Sequence, residues 1–120
     1  MIRFLAGATV LLAAAAHADP LPAKLGQCAD TVISNIGTRL EGMPGSGDEV
    51  QYDNGGRQVS YGAIKGLKGS REGDPVKLCL IAAPDDCSSD DDRGKVYRAT
   101  NLRTHKSWRL PDSEHSCGGA

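Results

Sequence analysis

Two residue types that bind metals or carry out thiol chemistry lie close together near the end of the chain. His115 and Cys117 are two positions apart in the final stretch LPDSEHSCGGA. At this spacing they can be metal ligands, a reactive pair, or a histidine beside one half of a disulfide. The chain has no C-x-x-C motif and no second closely spaced ligand pair. We therefore predict a disulfide at Cys117, with neither a metal site nor a cofactor.

The first 18 residues have the order of a secretory signal peptide. A single arginine precedes an apolar stretch that ends in Ala-His-Ala, with cleavage expected before Asp19. The apolar stretch is shorter than the roughly 20 residues that cross a bilayer, and no other segment approaches that length. We predict a signal peptide at 1–18, one domain at 19–120, no membrane span, and a periplasmic or secreted location.

Charge and aromatic content limit the kinds of partner. Export removes one arginine, so the formal net charge changes from −1 to −2, a balance that by itself says nothing about nucleic acid or membranes as partners. Residues 93–109 contain six cations and no acid, and the aromatic interleaving typical of nucleic-acid platforms is absent. On alternating strands we expect these cations to form a solvent-facing side above apolar residues; the alternative is a docking face for an anionic surface. The cations are Arg93, Lys95, Arg98, Arg103, Lys106 and Arg109, and the residues expected beneath them are Val96, Leu102 and Trp108.

Alternation of apolar and polar residues predicts a chain of short strands. In the stretch 31–40, a four-residue spacing of apolar residues also fits a helix, but β-branching and Gly37, read as a bulge or close approach, favour a strand. The pair Asn54-Gly55 lies between two alternating runs and predicts a hairpin. The predicted strands are 31–40, the runs around Val50/Tyr52 and Val59/Tyr61, 76–84, 95–102 and 107–111. We expect an all-β fold, a small antiparallel barrel or sandwich of about six strands, stabilised by disulfides.

Four cysteines in a short exported domain predict two disulfides. If 95–102 and 107–111 form a hairpin, the end of the second strand lies beside the start of the first. Cys117 then comes close to Cys87, and Cys28 is left for Cys79. The alternative pairing, Cys79–Cys87 with Cys28–Cys117, would require the central strand to bend back within eight residues.

No pattern in the chain predicts catalysis. Five aspartates within 85–92 resemble a hard-cation site, but their spacing is not that of a calcium loop, and Arg93 and Lys95 offset part of the charge. No nucleophile motif such as G-x-S-x-G occurs, and neither His105 nor His115 has a recognisable nucleophile beside it. We therefore predict a solvated acidic loop and a protein without catalytic residues.

Two resemblances to known proteins follow from particular stretches. GDPVKLCL, DDRGKVYRATNLRT and the ending W-x-LPDSEH-x-CGGA resemble a group of small secreted proteobacterial proteins, which implies export and a shared cysteine framework. The order Ser46-Gly47, Tyr52, Gly55, Lys65-Gly66 is similar to the motif of the C-type lysozyme inhibitors of Gram-negative periplasms. That family pattern has a tryptophan near its Lys-Gly pair and a shorter serine-to-lysine interval.

The second resemblance implies a small disulfide-bearing β-barrel in which Ser46 and Lys65 enter the cleft of a lysozyme. Two function hypotheses follow. In the first, the domain is a non-enzymatic binding module, an inhibitor of a cationic hydrolase that the acidic loop attracts. In the second, it is a structural envelope-maintenance domain with no inhibitory activity.

Overall fold

The chain folds into six strands and one short helix. The computed structural model describes residues 7 and 18–119, so the predicted signal peptide lies almost wholly outside the described residues. The all-β expectation is confirmed. The strands are β1 Cys28–Thr38, β2 Asp48–Tyr52, β3 Arg57–Val59, β4 Pro75–Ala82, β5 Val96–Asn101 and β6 Ser107–Pro111, and a 3₁₀ helix covers Lys65–Leu67.

All six strands belong to one antiparallel sheet in the order β3-β2-β1-β4-β5-β6. The sheet curls so that β3 and β6, its two outermost strands, contact each other. The hairpin predicted at Asn54-Gly55 is confirmed as the turn between β2 and β3, closed by a hydrogen bond from Tyr52 N to Gly56 O. The hairpin predicted for the last two strands is confirmed as well, with Val96 paired to Pro111.

The first strand differs from its prediction in extent and in which residues face inward. β1 begins at Cys28 and ends at Thr38, so Leu40 lies beyond it and is exposed. The pairing with β2 shifts between Ile33 and Asn35, which is a bulge. Ile33 and Ile36 both pack on the core because the bulge exchanges the inward parity between them. The predicted strand bounds of 31–40 and the predicted irregularity at Gly37 were therefore wrong, since the strand covers Cys28–Thr38 and its register shifts between Ile33 and Asn35.

Two residues predicted to be in strands or beneath charges are exposed. β3 ends at Val59, and Tyr61 lies outside the strand with 60% of its surface accessible. Leu102 is 45% exposed at the turn after β5, so it is not sheltered by the basic residues around it. Trp108 is buried as predicted. The strands end at Val59 and at Asn101, so Tyr61 and Leu102 are no longer held by strand alternation and are exposed.

The sheet is closed by a buried glutamine. Gln58 on β3 is fully buried, and its Nε2 donates to the carbonyls of Tyr97 on β5 (2.7 Å) and Leu110 on β6 (3.1 Å). Its Oε1 accepts from the hydroxyl of Tyr52 (2.6 Å) and from Nε1 of Trp108 (2.9 Å). All four hydrogen-bonding positions of the amide are therefore used. Burial raises the pKa of the Tyr52 phenol above its usual range, so this group stays a neutral donor.

Both disulfides are those favoured by the strand order. Cys28 and Cys79 are paired residues on β1 and β4, and their sulfurs are bonded. Cys87 and Cys117 join the acidic loop to the C-terminal segment. Two disulfides fit a protein that folds outside the reducing cytoplasm. No helix in the described part of the chain is long and apolar enough to cross a membrane.

A second polar network holds the loop before β4 to the end of β5. Asp74 is buried, with 3% of its side chain exposed, and it accepts two hydrogen bonds from Arg103, at 2.6 and 2.9 Å. The same carboxylate accepts from Asn101 Nδ2 and from the backbone N–H of Arg71, both at 2.9 Å. The Arg103 guanidinium, helped by these further donors, holds the pKa of Asp74 well below its usual range.

This network makes the fold sensitive to acid. Because the carboxyl pKa is lower in the folded than in the unfolded chain, its contribution is complete above the unfolded pKa of about 4 and is lost as pH falls through the folded value. We expect Asp74→Asn to lower the free energy of unfolding by about 2 kcal/mol at neutral pH. The variant should also lose less stability than the parent between about pH 5 and pH 2.

Urea denaturation at several pH values measures both effects. The exposed Asp53→Asn is the matched control, because its side chain has no hydrogen bond or ion pair in the part of the chain that the structure describes. Asp91 and Glu114 also have lowered pKa values, so some acid sensitivity remains in the variant. An Asp74→Asn protein with the same pH dependence as the parent would contradict the assignment.

Candidate partner-binding surface

The loop between β1 and β2, residues 39–47, is folded on itself around Ser46. The backbone N–H of Arg39 donates to Gly47 O at 2.9 Å, and its Nε donates to Ser46 O at 2.7 Å. The hydroxyl oxygen of Ser46 accepts from the N–H of Leu40 at 3.1 Å. Ser46 is half-buried, and its hydroxyl hydrogen is still available to a partner. The loop therefore presents Ser46 from a fixed backbone.

The segment after β3 packs tightly against the end of this loop. Gly47 has a φ of 113°, and a Cβ at this position would overlap the carbonyl of Ser60. Asp48 adds two contacts, since its N–H donates to Ser60 Oγ and its Oδ2 accepts from the N–H of Ile64, both at 3.0 Å. Glycine is required at position 47 because the two backbones are in contact there.

Lys65 begins the 3₁₀ helix that follows Ile64. The helix packs on β6, and a Cβ on Gly66 would overlap the carbonyl of Ser107. This close packing fixes the position of the helix. The Lys65 side chain is exposed and has no ion pair or hydrogen bond among the described residues. The backbone at Lys65 is held in place by the close contact at Gly66, and the ammonium group is unpaired. Lys65 can therefore reach a carboxylate of a partner from a defined position.

The structure places Ser46 and Lys65 at the same end of the sheet. Ser46 lies two residues before Asp48 and Lys65 directly follows Ile64, and Asp48 and Ile64 are hydrogen-bonded. The two dipeptides Ser46-Gly47 and Lys65-Gly66 are thus attached to neighbouring backbones. Both of their glycines have packing roles, which account for a glycine at positions 47 and 66 independently of any partner.

An apolar pocket opens beside Lys65. Its volume is about 350 Å³, and Ile36, Ala63, Ile64 and Leu67 form its apolar wall. This volume lies at the lower end of the range for small-molecule sites and is large enough for the side chain of a partner protein. Sequence reasoning missed the pocket because it is formed by β1 together with the irregular segment 60–68.

Exposed apolar side chains extend the same surface. Leu40, Met43 and Tyr61 are 42%, 56% and 60% exposed. The guanidinium of Arg39 lies 4.4 Å from the centroid of the Tyr61 ring, a cation–π contact that orients the ring. Exposed aromatic residues beside a fixed cation are typical of contact surfaces. The alternating pattern predicted Tyr61 to lie in a strand, so its position on this exposed surface was not predicted.

The acidic loop and the C-terminal segment form a separate, internally paired region. Asp91 forms an ion pair with Arg93 at 2.8 Å and accepts a hydrogen bond from the N–H of Gly118 at 3.0 Å. Arg93 holds the pKa of Asp91 well below its usual range. Asp92 pairs with Lys95 at 3.2 Å. The described residues contain no group of three or more His, Cys, Asp or Glu side chains able to hold a metal ion. The predicted offset of the loop charge by Arg93 and Lys95 is confirmed.

The pair His115 and Cys117 is a histidine beside a disulfide. Cys117 is bonded to Cys87, and its backbone N–H donates to Arg93 O at 2.8 Å. His115 is exposed, and its backbone N–H donates to Ser113 Oγ. The cysteine has no free thiol, so the pair has no thiol reactivity.

Comparison with protein-family models, curated proteins and solved structures finds no match to this chain.

Proposed function

We propose that this chain is an exported, non-enzymatic binding module that inhibits a cationic hydrolase of the lysozyme type through the surface around Ser46 and Lys65. The observation that carries the proposal is the hydrogen bond between Asp48 and Ile64. It holds together the two backbone segments that carry Ser46 and Lys65, at one end of the sheet. Export is supported by the signal-like residues 1–18 and by the two disulfides.

The chemistry of the target explains why a serine and a lysine are suited to inhibition. Glycoside hydrolases use a pair of carboxyl groups on either side of the bond that is broken. The ammonium group of Lys65 pairs with one carboxylate in the cleft, and the Ser46 hydroxyl donates to a second acceptor. The enzyme is blocked because the substrate position is occupied, and no bond is made or broken.

The rest of the surface supplies contact area and attraction. Tyr61 and Met43 are exposed side chains of types that are enriched in interfaces, and Leu40 adds exposed apolar area beside them. The acidic loop at 85–92 adds a long-range attraction for a cationic enzyme, although its paired aspartates contribute less than their number implies.

The test is inhibition of a C-type lysozyme by the purified oxidised domain. We expect Lys65→Ala to weaken inhibition about 30-fold or more, because it removes one partner of a desolvated charge pair. Ser46→Ala should weaken it less, and the double variant most. Lys24→Ala removes an equal charge from an exposed position in the turn before β1 and serves as the matched control.

Denaturation curves of each variant separate loss of contact from loss of fold, since Ser46 also accepts a hydrogen bond within its loop. A folded Lys65→Ala protein that inhibits as well as the parent would contradict the assigned surface. A parent domain that does not inhibit lysozyme at all would favour the structural envelope-maintenance domain instead.

A further inference from the structure

Two arginines face each other across the last pair of strands. Arg98 on β5 and Arg109 on β6 are paired residues in the antiparallel register, and both are exposed on the outer side of the sheet. Their Cβ atoms are therefore about 5 Å apart. Two guanidinium groups at this separation share one small area of surface.

These two arginines differ from the other described arginines in having no partner. Four others form ion pairs with carboxylates, and a fifth is held by the Tyr61 ring and a carbonyl. Neither Arg98 nor Arg109 has a hydrogen bond or an ion pair within the part of the chain that the structure describes. The five arginines with partners are Arg39, Arg57, Arg71, Arg93 and Arg103.

Like charges directly opposite on neighbouring strands lower the stability of a sheet. A carboxylate at either position would convert the repulsion into attraction without any change of fold. Positions that reduce stability in this way are typical of functional sites. The repulsion between Arg98 and Arg109 is relieved when one oxyanion accepts hydrogen bonds from both guanidinium groups.

We propose that Arg98 and Arg109 form a binding site for an acidic polysaccharide, one sulfate or carboxylate group of which bridges the two guanidinium groups. The neighbouring residues suit a sugar chain. Thr100 and Ser107 occupy the next row of the same face, with their hydroxyl oxygens 3.0 Å apart. Lys77 on β4, which is paired with Thr100, adds a third cation and lies opposite Asp30 on β1.

Two other classes of polyanion fit this face less well. The exposed large apolar residues of the described chain lie outside the outer faces of β4, β5 and β6, so this face has none of the side chains that insert into an anionic bilayer. The aromatic residues of these strands, Tyr97 and Trp108, point inward, so a single-stranded nucleic acid has no ring on which to stack its bases. A polysaccharide needs neither feature.

The experiment measures binding of the purified domain to immobilised heparin, with dextran as the neutral control. Because the formal net charge of the chain is negative, binding to heparin requires a local basic site. Arg109→Glu creates an opposite-charge pair with Arg98, so we expect about a tenfold or greater loss of affinity together with an unchanged or higher denaturation midpoint. Arg109→Gln is the second variant and should lose affinity to a smaller extent, again without loss of stability.

Lys68→Glu is the charge-matched control, because Lys68 is exposed near Lys65 and Lys106 in a different basic cluster. Loss of heparin binding in the Arg109 variants, with Lys68→Glu within about twofold of the parent, supports the site. No binding by the parent overturns it, as does an equal loss in Lys68→Glu. Preferential binding to vesicles containing phosphatidylglycerol, or to single-stranded DNA, overturns the assignment to a polysaccharide.

This site is independent of the surface around Ser46 and Lys65. Arg109→Glu should leave lysozyme inhibition unchanged, and Lys65→Ala should leave heparin binding unchanged. The two proposals can therefore fail separately.

Discussion

Gln58→Met will lower the free energy of unfolding by at least about 4 kcal/mol. Methionine is close to glutamine in size, but its side chain can neither donate two hydrogen bonds nor accept from two strong donors. The carbonyls of Tyr97 and Leu110 lose their donor, and the Tyr52 hydroxyl and Trp108 N–H lose their acceptor. Each buried polar group left without a partner costs about 1–3 kcal/mol, and the whole domain has a stability of the order of 5–15 kcal/mol.

Gln51→Met is the matched control, because Gln51 lies on β2 with its side chain exposed. Urea denaturation followed by Trp108 fluorescence measures both variants. A Gln58→Met protein within about 1 kcal/mol of the parent would mean that Gln58 does not close the sheet.

The variant Gln58→Glu tests the direction of the hydrogen bonds. An ionised carboxylate keeps the bonds from Tyr52 and Trp108 but sets an oxygen against the carbonyls of Tyr97 and Leu110. Burial without a cation raises the carboxyl pKa in the folded state, so the contribution of residue 58 is complete below the unfolded pKa and is lost as pH rises through the folded value. Relative to the parent at the same pH, the variant is therefore least destabilised at acid pH. The parent has the opposite trend at acid pH because of Asp74.

The second large effect is expected for the disulfide between β1 and β4. Cys28 and Cys79 are separated by 51 residues. Closing a loop of that length lowers the entropy of the unfolded chain and so stabilises the folded state by about 4 kcal/mol. We expect the double variant Cys28→Ala/Cys79→Ala to lose about that amount of stability. The pairing of β1 with β4 then depends on backbone hydrogen bonds and packing alone.

The other disulfide provides the comparison. Cys87→Ala/Cys117→Ala opens a loop of 30 residues, worth about 3.6 kcal/mol in the same treatment. Hydrogen exchange distinguishes the two double variants. Loss of Cys28–Cys79 should increase exchange in β1 and β4, whereas loss of Cys87–Cys117 should increase it in the acidic loop and the C-terminal segment. Equal exchange in both variants would contradict the separate roles.

Local signals in the sequence were enough for the hairpins. Asn54-Gly55 marks a turn by its own chemistry, and strands β5 and β6 alternate on both sides of a short polar turn. The disulfide pairing followed because a hairpin determines which of its ends are neighbours. The hairpins need only residues that are close in sequence, and the disulfides follow from the second hairpin and by elimination.

Contacts between distant residues were beyond the same reasoning. Gln58 is a polar residue in a short strand, and only the curling of the sheet places two carbonyls and two donors around it. The bulge at Ile33 depends on how β1 meets two different strands, β2 and β4. A single sequence does not show which distant residues will become the hydrogen-bond partners of a buried polar side chain or the neighbours of a strand.

The candidate surfaces were predictable to different extents. Ser46 and Lys65 could be identified from the Ser-Gly and Lys-Gly dipeptides. The pocket between Ile36 and Leu67 could not be predicted, because its walls come from segments that only the fold brings together. The basic run at 93–109 was visible, but its paired and unpaired members look alike in the sequence. Register separates them, because it brings Arg98 opposite Arg109 while Arg103 reaches Asp74.

The strand order β3-β2-β1-β4-β5-β6 has a consequence for how the chain folds. It divides the sheet into two three-stranded meanders, each made of consecutive strands, that meet where β1 pairs with β4. Each meander pairs strands that are consecutive in sequence, so we expect each to form before the two dock, because docking must bring together residues that are distant in sequence. We expect oxidation of Cys28 with Cys79 to follow that docking, so the rate at which this disulfide forms during refolding should report how fast the two meanders dock.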